Sequence, residues 1–226
     1  MKMKKKSLFC LALALFFIAF SFPFAVSSEN ADGNADKLIA LTFDDGPHPR
    51  YTNQILDILK DYGVRATFFE VGENVLYYRD TAIRVAREGH EIGNHTYSHP
   101  HLRGIDGVSL RNEVERCENA IKSVTGITPR LFRPPEGVVE DTVKVMAQEK
   151  EYSLVLWDVD TRDWAGRSSA DIVNTVLENA KSGDVILMHD YISKKCHTVE
   201  SLKVLIPALL RRGYTFVTVS ELLERK

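Results

Sequence analysis

Beyond residue 36 the chain alternates short, nearly continuous apolar runs with longer segments whose apolar residues recur every three or four positions. The first pattern is that of strands buried on both faces, the second that of helices with one inward stripe. The runs Leu38 to Phe43, Ala66 to Phe69, Glu91 to Gly93, Arg130 to Arg133, Ser153 to Trp157, Val185 to Met188 and Thr215 to Val219 predict strands. Between them, Tyr51 to Tyr62, a stretch within Tyr78 to Glu88, Leu110 to Val124, Glu140 to Lys150, Ser169 to Ala180 and Val199 to Arg212 predict helices, and a short helical tail closes the chain. Most of these helices are followed by a glycine, Gly126 for example, where a left-handed residue ends the helix before the next strand. Seven strand–helix units in alternation imply a parallel sheet covered by helices. That number suits an irregular or incomplete (β/α)7–8 barrel in a single α/β domain, with a doubly wound open sheet as the alternative.

The N-terminus departs from this pattern. Lys2, Lys4, Lys5 and Lys6 precede an apolar run from Leu8 to Phe20, followed by Pro23 and the small residues around Ala25–Val26–Ser27. Basic, apolar and small-residue regions in that order are the layout of a secretory signal, assigned to residues 1–27. Its apolar run is short for a membrane span, although extension to Val26 would allow an uncleaved anchor. Residues 28–36 read as a polar, flexible leader. Residues 37–226, about 190 residues, are enough for one catalytic domain with a sizeable core. Export to the medium, cell surface or cell wall is the expectation.

Composition adds exclusions. The 226 residues are 44% hydrophobic and 27% charged, with a formal net charge of −2 and a pI near 6.4. Nothing in that balance marks a nucleic-acid partner, and any membrane contact is confined to the N-terminal segment. A monomer is expected. Cys10 lies in the signal, whereas Cys117 and Cys196 fall in the domain; an exported chain allows a bridge between them, but two unpaired, partly buried thiols are the expectation.

The reactive side chains cluster at strand ends. Asp44 and Asp45 follow the first strand, His95 and His99 the third, Arg133 ends the fourth, Asp158, Asp160 and Asp163 follow the fifth, and His189 and Asp190 the sixth. In a parallel barrel all of these meet on one rim, where such folds place their chemistry. Two histidines four apart suit one face of a helical turn, so that both rings can address one ion together with a carboxylate. A zinc helix of the common kind has a glutamate beside its first histidine as base; here that place is Thr96, and the tandem Asp44–Asp45 supplies both a ligand and a base. The pattern points to metal-assisted hydrolysis. His48 and His101 read as turn residues beside prolines, and His90 follows a helix C-terminus, a place that favours a cation.

Thr42–Phe43–Asp44–Asp45–Gly46–Pro47, His95–Thr96–Tyr97–Ser98–His99, Arg133–Pro134–Pro135–Glu136–Gly137, Asp160–Thr161–Arg162–Asp163–Trp164 and Leu187–Met188–His189–Asp190 resemble, in order, the five motifs of the polysaccharide deacetylases, the family 4 carbohydrate esterases. The resemblance spans Leu38 to about Glu224. It implies Asp45, His95 and His99 as metal ligands, with Zn²⁺ first and Co²⁺, Mn²⁺ or Ni²⁺ as alternatives. It implies Asp44 as base, Arg133 orienting it, His189 as the acid that protonates a leaving amine, and Asp160 as the carboxylate that keeps His189 protonated. Pro135, Glu136, Asp163, Trp164 and Leu187 become groove or acetyl-pocket residues. Family members commonly carry tyrosine where this chain has Glu136; the backbone N–H survives the change, but the ring does not, and a rim carboxylate there disfavours acidic sugars. The implied activity is removal of N-acetyl groups from N-acetylglucosamine or N-acetylmuramic acid in peptidoglycan or chitin oligomers. An O-acetyl esterase acting on xylan and a non-catalytic carbohydrate-binding protein are the alternatives.

Overall fold

The computed structural model describes residues 37–191 and 197–225. Residues 1–36, where a signal and leader are expected, and Cys196 with any bridge to Cys117, lie outside the described residues. The described residues form the strands β1 (Lys37–Asp44), β2 (Thr67–Glu70), β3 (Glu91–Asn94), β4 (Leu131–Phe132), β5 (Ser153–Leu154), β6 (Val159–Asp160), β7 (Asp184–His189) and β8 (Tyr214–Phe216), of which only β6 has no counterpart among the predicted runs. The helices are α1 (Tyr51–Asp61), α2 (Gly72–Tyr77), α3 (Arg79–Arg87), α4 (Gly107–Thr125), α5 (Asp141–Glu149), α6 (Ser169–Asn179), α7 (Thr198–Arg211) and α8 (Val219–Leu223). Among them α4 is capped at both ends: Asp106 accepts from the N–H groups of Val108 and Ser109, and Gly126, the expected stop, ends the helix at φ 77°.

The strands join in one parallel sheet in the order β5-β4-β3-β2-β1-β7-β6, with β8 beside the first residues of β1. Strands β5 and β6 are its two edges and do not pair with each other, so the barrel is incomplete. It is nonetheless curled. On a flat sheet β4 and β1, three places apart, would be separated by about 14 Å. Yet Arg133, which directly follows β4, reaches Asp44 at the end of β1 with a bond of 2.7 Å. An open, doubly wound sheet would not bring these groups together.

Two departures from the predicted elements have local causes. The run Ser153 to Trp157 is not one strand: β5 stops at Leu154, and β6 starts afresh at the opposite sheet edge. The carbonyls of Val155 and Leu156 turn inward instead, accepting from Arg133. The region after β2 holds two helices, broken at Tyr78 (φ −117°, ψ 49°), where one was expected. His90, too, is not a surface cation. Its buried ring accepts the Ala66 N–H through Nδ1, and burial pushes its pKa down to about 4.

Alternation along β1 separates two packing regions. Ile39, Leu41 and Phe43 face the helices with Ile55, Leu59, Leu205 and Ile206, whereas Leu38 and Ala40 join Phe69, Leu131, Val185 and Val217 inside the curl.

Candidate active site and metal centre

The same alternation delivers the polar groups. Continuing Leu38 and Ala40 by twos leads to Thr42 and Asp44, which therefore point into the curl. On β7, Val185 leads likewise to Leu187 and His189, and on β4 Leu131 leads to Arg133. Strand β6 pairs Asp160 with Leu187. An apolar interior thus gives way to a polar mouth at the carboxyl ends of the strands. There a cleft of about 500 Å³ is lined by Asp44, Asp45, His95, His99, Glu136, Trp157, Asp160, Trp164, Leu187 and His189.

Asp45, His95 and His99 each direct one donor atom to a common point, all within 4.8 Å of one another. Asp45 Oδ1 is 3.4 Å from His95 Nε2 and 3.3 Å from His99 Nε2. Two ligands at about 2.1 Å on a tetrahedral ion lie about 3.4 Å apart, so this donor set fits a small divalent cation. His95 Nδ1 donates to the Arg133 carbonyl at 2.7 Å, which leaves the Nε2 lone pair free for the ion.

The two histidines do not sit on a helical turn, as their spacing suggested. They flank a loop in which Thr96 and His99 are left-handed (φ 69° and 53°), as is Asp45 (φ 76°). Non-glycine residues there cost about 1–3 kcal/mol each and persist where their surroundings hold them. The holders are visible. The Asn94 side chain accepts from Thr96 N, and Thr96 Oγ1 accepts from His99 N. Glu113 Oε2, on α4, accepts from Tyr97 N, Ser98 N and the Ser98 hydroxyl. Asn74 donates to the Asp45 carbonyl at 2.8 Å. Glu113 and Asn74 carry no sequence signal, since each is one polar residue among many on a helix.

Asp44 faces the same point from the other side, with Oδ2 3.8 Å from His95 Nε2. Its Oδ1 accepts from Arg133, a guanidinium with no exposed surface that also donates to Thr42 Oγ1 and to the Val155 and Leu156 carbonyls. A buried charge with four of its five N–H donors directed in this way is held rigidly. Burial lowers the His95 pKa, but the Asp44 and Asp45 charges outweigh it and raise the group. Burial and the adjacent His95 lower that of His99. Asp45 resists burial through His95 and stays below the usual carboxylate range.

His189 is opposite. Its Nδ1 meets Asp163 Oδ1 at 2.7 Å, and Asp163 Oδ2 accepts from the His189 N–H and the Thr198 hydroxyl. Burial alone would depress the imidazole, but the bond and charge of Asp163, helped by Asp44 and Asp45, push its pKa up to about 9. The partner of His189 is therefore Asp163 and not Asp160. Asp160 accepts from Arg162 N and lines the cleft wall instead, because it lies within β6 with its side chain on the open side. Asp163 is fully buried and forms no part of that wall, and Pro135 is buried outside it. Trp157 takes a place in the wall that its apolar run concealed.

Below the Asp45 loop lie two further carboxyls. Glu70 is fully buried with both oxygens free of partners, and Asp190 accepts from the Thr52 hydroxyl at 2.5 Å. Burial pushes both groups upward, helped at Glu70 by the Asp190 charge and at Asp190 by the Asp45 and Asp44 charges.

Comparison with known proteins adds an independent line. The polysaccharide deacetylase family model matches residues 31–155, more than half of the chain. A peptidoglycan-N-acetylglucosamine deacetylase of Bacillus cereus is 44% identical over 199 residues, covering 85% of this chain and 91% of that protein. The peptidoglycan-N-acetylmuramic acid deacetylase PdaC of Bacillus subtilis is 41% identical over 198 residues, covering 88% of this chain but only 41% of its own greater length. The solved structure of PdaC superposes with a TM-score of 0.78 at 40% identity, covering 84% of this chain and 91% of that one.

Proposed function

The chain belongs to the polysaccharide deacetylase family, and on that premise we propose that it is an exported, metal-dependent hydrolase of peptidoglycan. It removes the N-acetyl group from N-acetylglucosamine units, and from N-acetylmuramic acid units less readily, releasing acetate. The observation that carries this reading is the convergence of Asp45, His95 and His99 with Asp44 and His189 in one cleft. Residues 1–27 serve as the export signal, 28–36 as a leader and 37–226 as the catalytic domain. A binder without turnover has no use for a base and a charged acid on opposite sides of a ligand set.

Asp45, His95 and His99 hold the ion, with Zn²⁺ as the proposed metal. When bound it supplies Lewis acidity, lowering the pKa of water and polarising the acetyl carbonyl. Asp44, kept in place by Arg133, accepts the proton of the attacking water. The Glu136 N–H donates to the developing oxyanion. His189, charged through Asp163, delivers its Nε2 proton to the departing nitrogen, and that proton transfer makes the amine a competent leaving group. Leu187 and Trp164 offer apolar surface to the acetyl methyl and the sugar ring.

The test is acetate release by the zinc-loaded chain from purified peptidoglycan, N-acetylglucosamine oligomers and acetylated xylan, with the products identified by mass spectrometry. Free amines on the glycan are expected. Acetate from xylan alone would make the chain an O-acetyl esterase, and acetate from none of the three would refute the hydrolase reading.

A further inference from the structure

A line of aromatic rings leaves the rim beside β1 and β7. Tyr191 stands two residues beyond His189 and His48 three beyond Asp45, and their rings meet edge to face at 4.9 Å. His48 stacks on Tyr51 at 4.7 Å and leans on Tyr78 at 6.3 Å, and Tyr78 leads to Tyr77 at 6.4 Å. The His48 ring, in contact with both Tyr191 and Tyr78, links the outer rings to the rim. Beyond them, Pro49, Tyr77, Tyr78, Arg79, Asp80 and Thr81 line a shallow depression of about 350 Å³.

Some of these rings have structural work. His48 Nδ1 accepts the N–H groups of Arg50 and Tyr51 at the start of α1, and Arg50 covers one face of Tyr51. Tyr77 is different: it is 80% exposed, touching the line only through Tyr78. Exposed tyrosine beside paired hydrogen-bonding side chains is the chemistry of a sugar site. The rings take the C–H face of a pyranose, and Asp80 and Arg79 offer an acceptor and a donor fork for its hydroxyl or acetamido groups. Their opposite charges leave the depression without a net preference for an anion or a cation, which suits a neutral sugar.

We propose that this line and its depression form a second, non-catalytic saccharide subsite, which holds neutral N-acetylated units of the same glycan whose scissile unit occupies the cleft. The assignment rests on the hydrolase reading above and sharpens it: the preferred substrate is a long chain, bound beyond the reacting unit on the β1–β7 side.

The test compares acetate release from the N-acetylglucosamine hexamer and dimer by the zinc-loaded full chain and its Tyr77→Ala variant. The ratio of kcat/KM on hexamer to that on dimer is expected to fall about two- to tenfold, the worth of one stacked ring, through KM. Tyr77→Trp should restore it. An unchanged ratio overturns the subsite. Calorimetric titration of the chelator-stripped chain with hexamer gives a readout independent of turnover: weaker binding by Tyr77→Ala supports the subsite, and equal affinity overturns it. Absence of acetate release by the wild type would count against the hydrolase reading alone.

Discussion

Arg133 and Asp44 lie 89 residues apart in the chain and join at 2.7 Å with both side chains almost wholly buried. Removing one partner of such a pair strands the other charge, at about 3–5 kcal/mol. Arg133→Ala is therefore expected to destabilise the fold by about that amount in urea unfolding at pH 7. Arg133→Lys should recover only part, because one ammonium cannot serve Asp44, Thr42 and both carbonyls together. A loss below about 0.5 kcal/mol in the alanine variant would show that the pair does not brace the curl.

The bond between Asp163 and His189 sets a pH dependence. The imidazole is an acid only while protonated, so turnover should decline as pH rises through about 9. Asp163→Asn removes the charge that raises the group, and the alkaline limb of the kcat profile should move to lower pH. Stability follows the same sign. A histidine raised above its unfolded value near 6.5 contributes fully below that pH, and the contribution disappears as pH climbs to about 9. An alkaline limb that stays in place in Asp163→Asn would remove Asp163 from this role.

Metal retention should separate ligands from acid. Asp45→Ala and His99→Ala are expected to lose zinc together with activity, whereas His189→Ala keeps its zinc and loses about 10²–10⁴-fold in kcat. Elemental analysis beside acetate release distinguishes the two outcomes. Full activity in His99→Ala would overturn the ligand assignment.

Glu136 bears on substrate choice. It is left-handed (φ 57°), half-exposed at the cleft mouth, and its Oε2 lies 3.0 Å from His101 Nδ1. Glu136→Gln should raise the rate on muramic-acid-containing glycan relative to N-acetylglucosamine oligomers by no more than about fivefold, since exposed charges interact weakly. The gain should shrink as salt is added. Identical preference in the two proteins at low salt would remove this role.

Much of this was legible along the chain. Period-two alternation continued through Leu38, Ala40, Thr42 and Asp44 already says that the aspartate shares a face with the inner packing, and burial of the strand from Leu38 to Asp44 confirms two covered faces. The split of Ser153 to Trp157 was not legible. Backbone carbonyls choose between a neighbouring strand and a side chain, and the choice of Val155 and Leu156 depends on where Arg133 arrives.

Local order thus determined the strand–helix alternation, the inward faces and the residue types gathered at the strand ends, because these depend on periods of two and of three to four residues. Only the tertiary structure decided that Asp163 rather than Asp160 holds His189, that Trp157 walls the cleft, and that Glu113 secures the His95–His99 loop. Hydrogen bonds a few ångströms long between residues far apart in sequence depend on how the sheet curls, and no local period records that curvature.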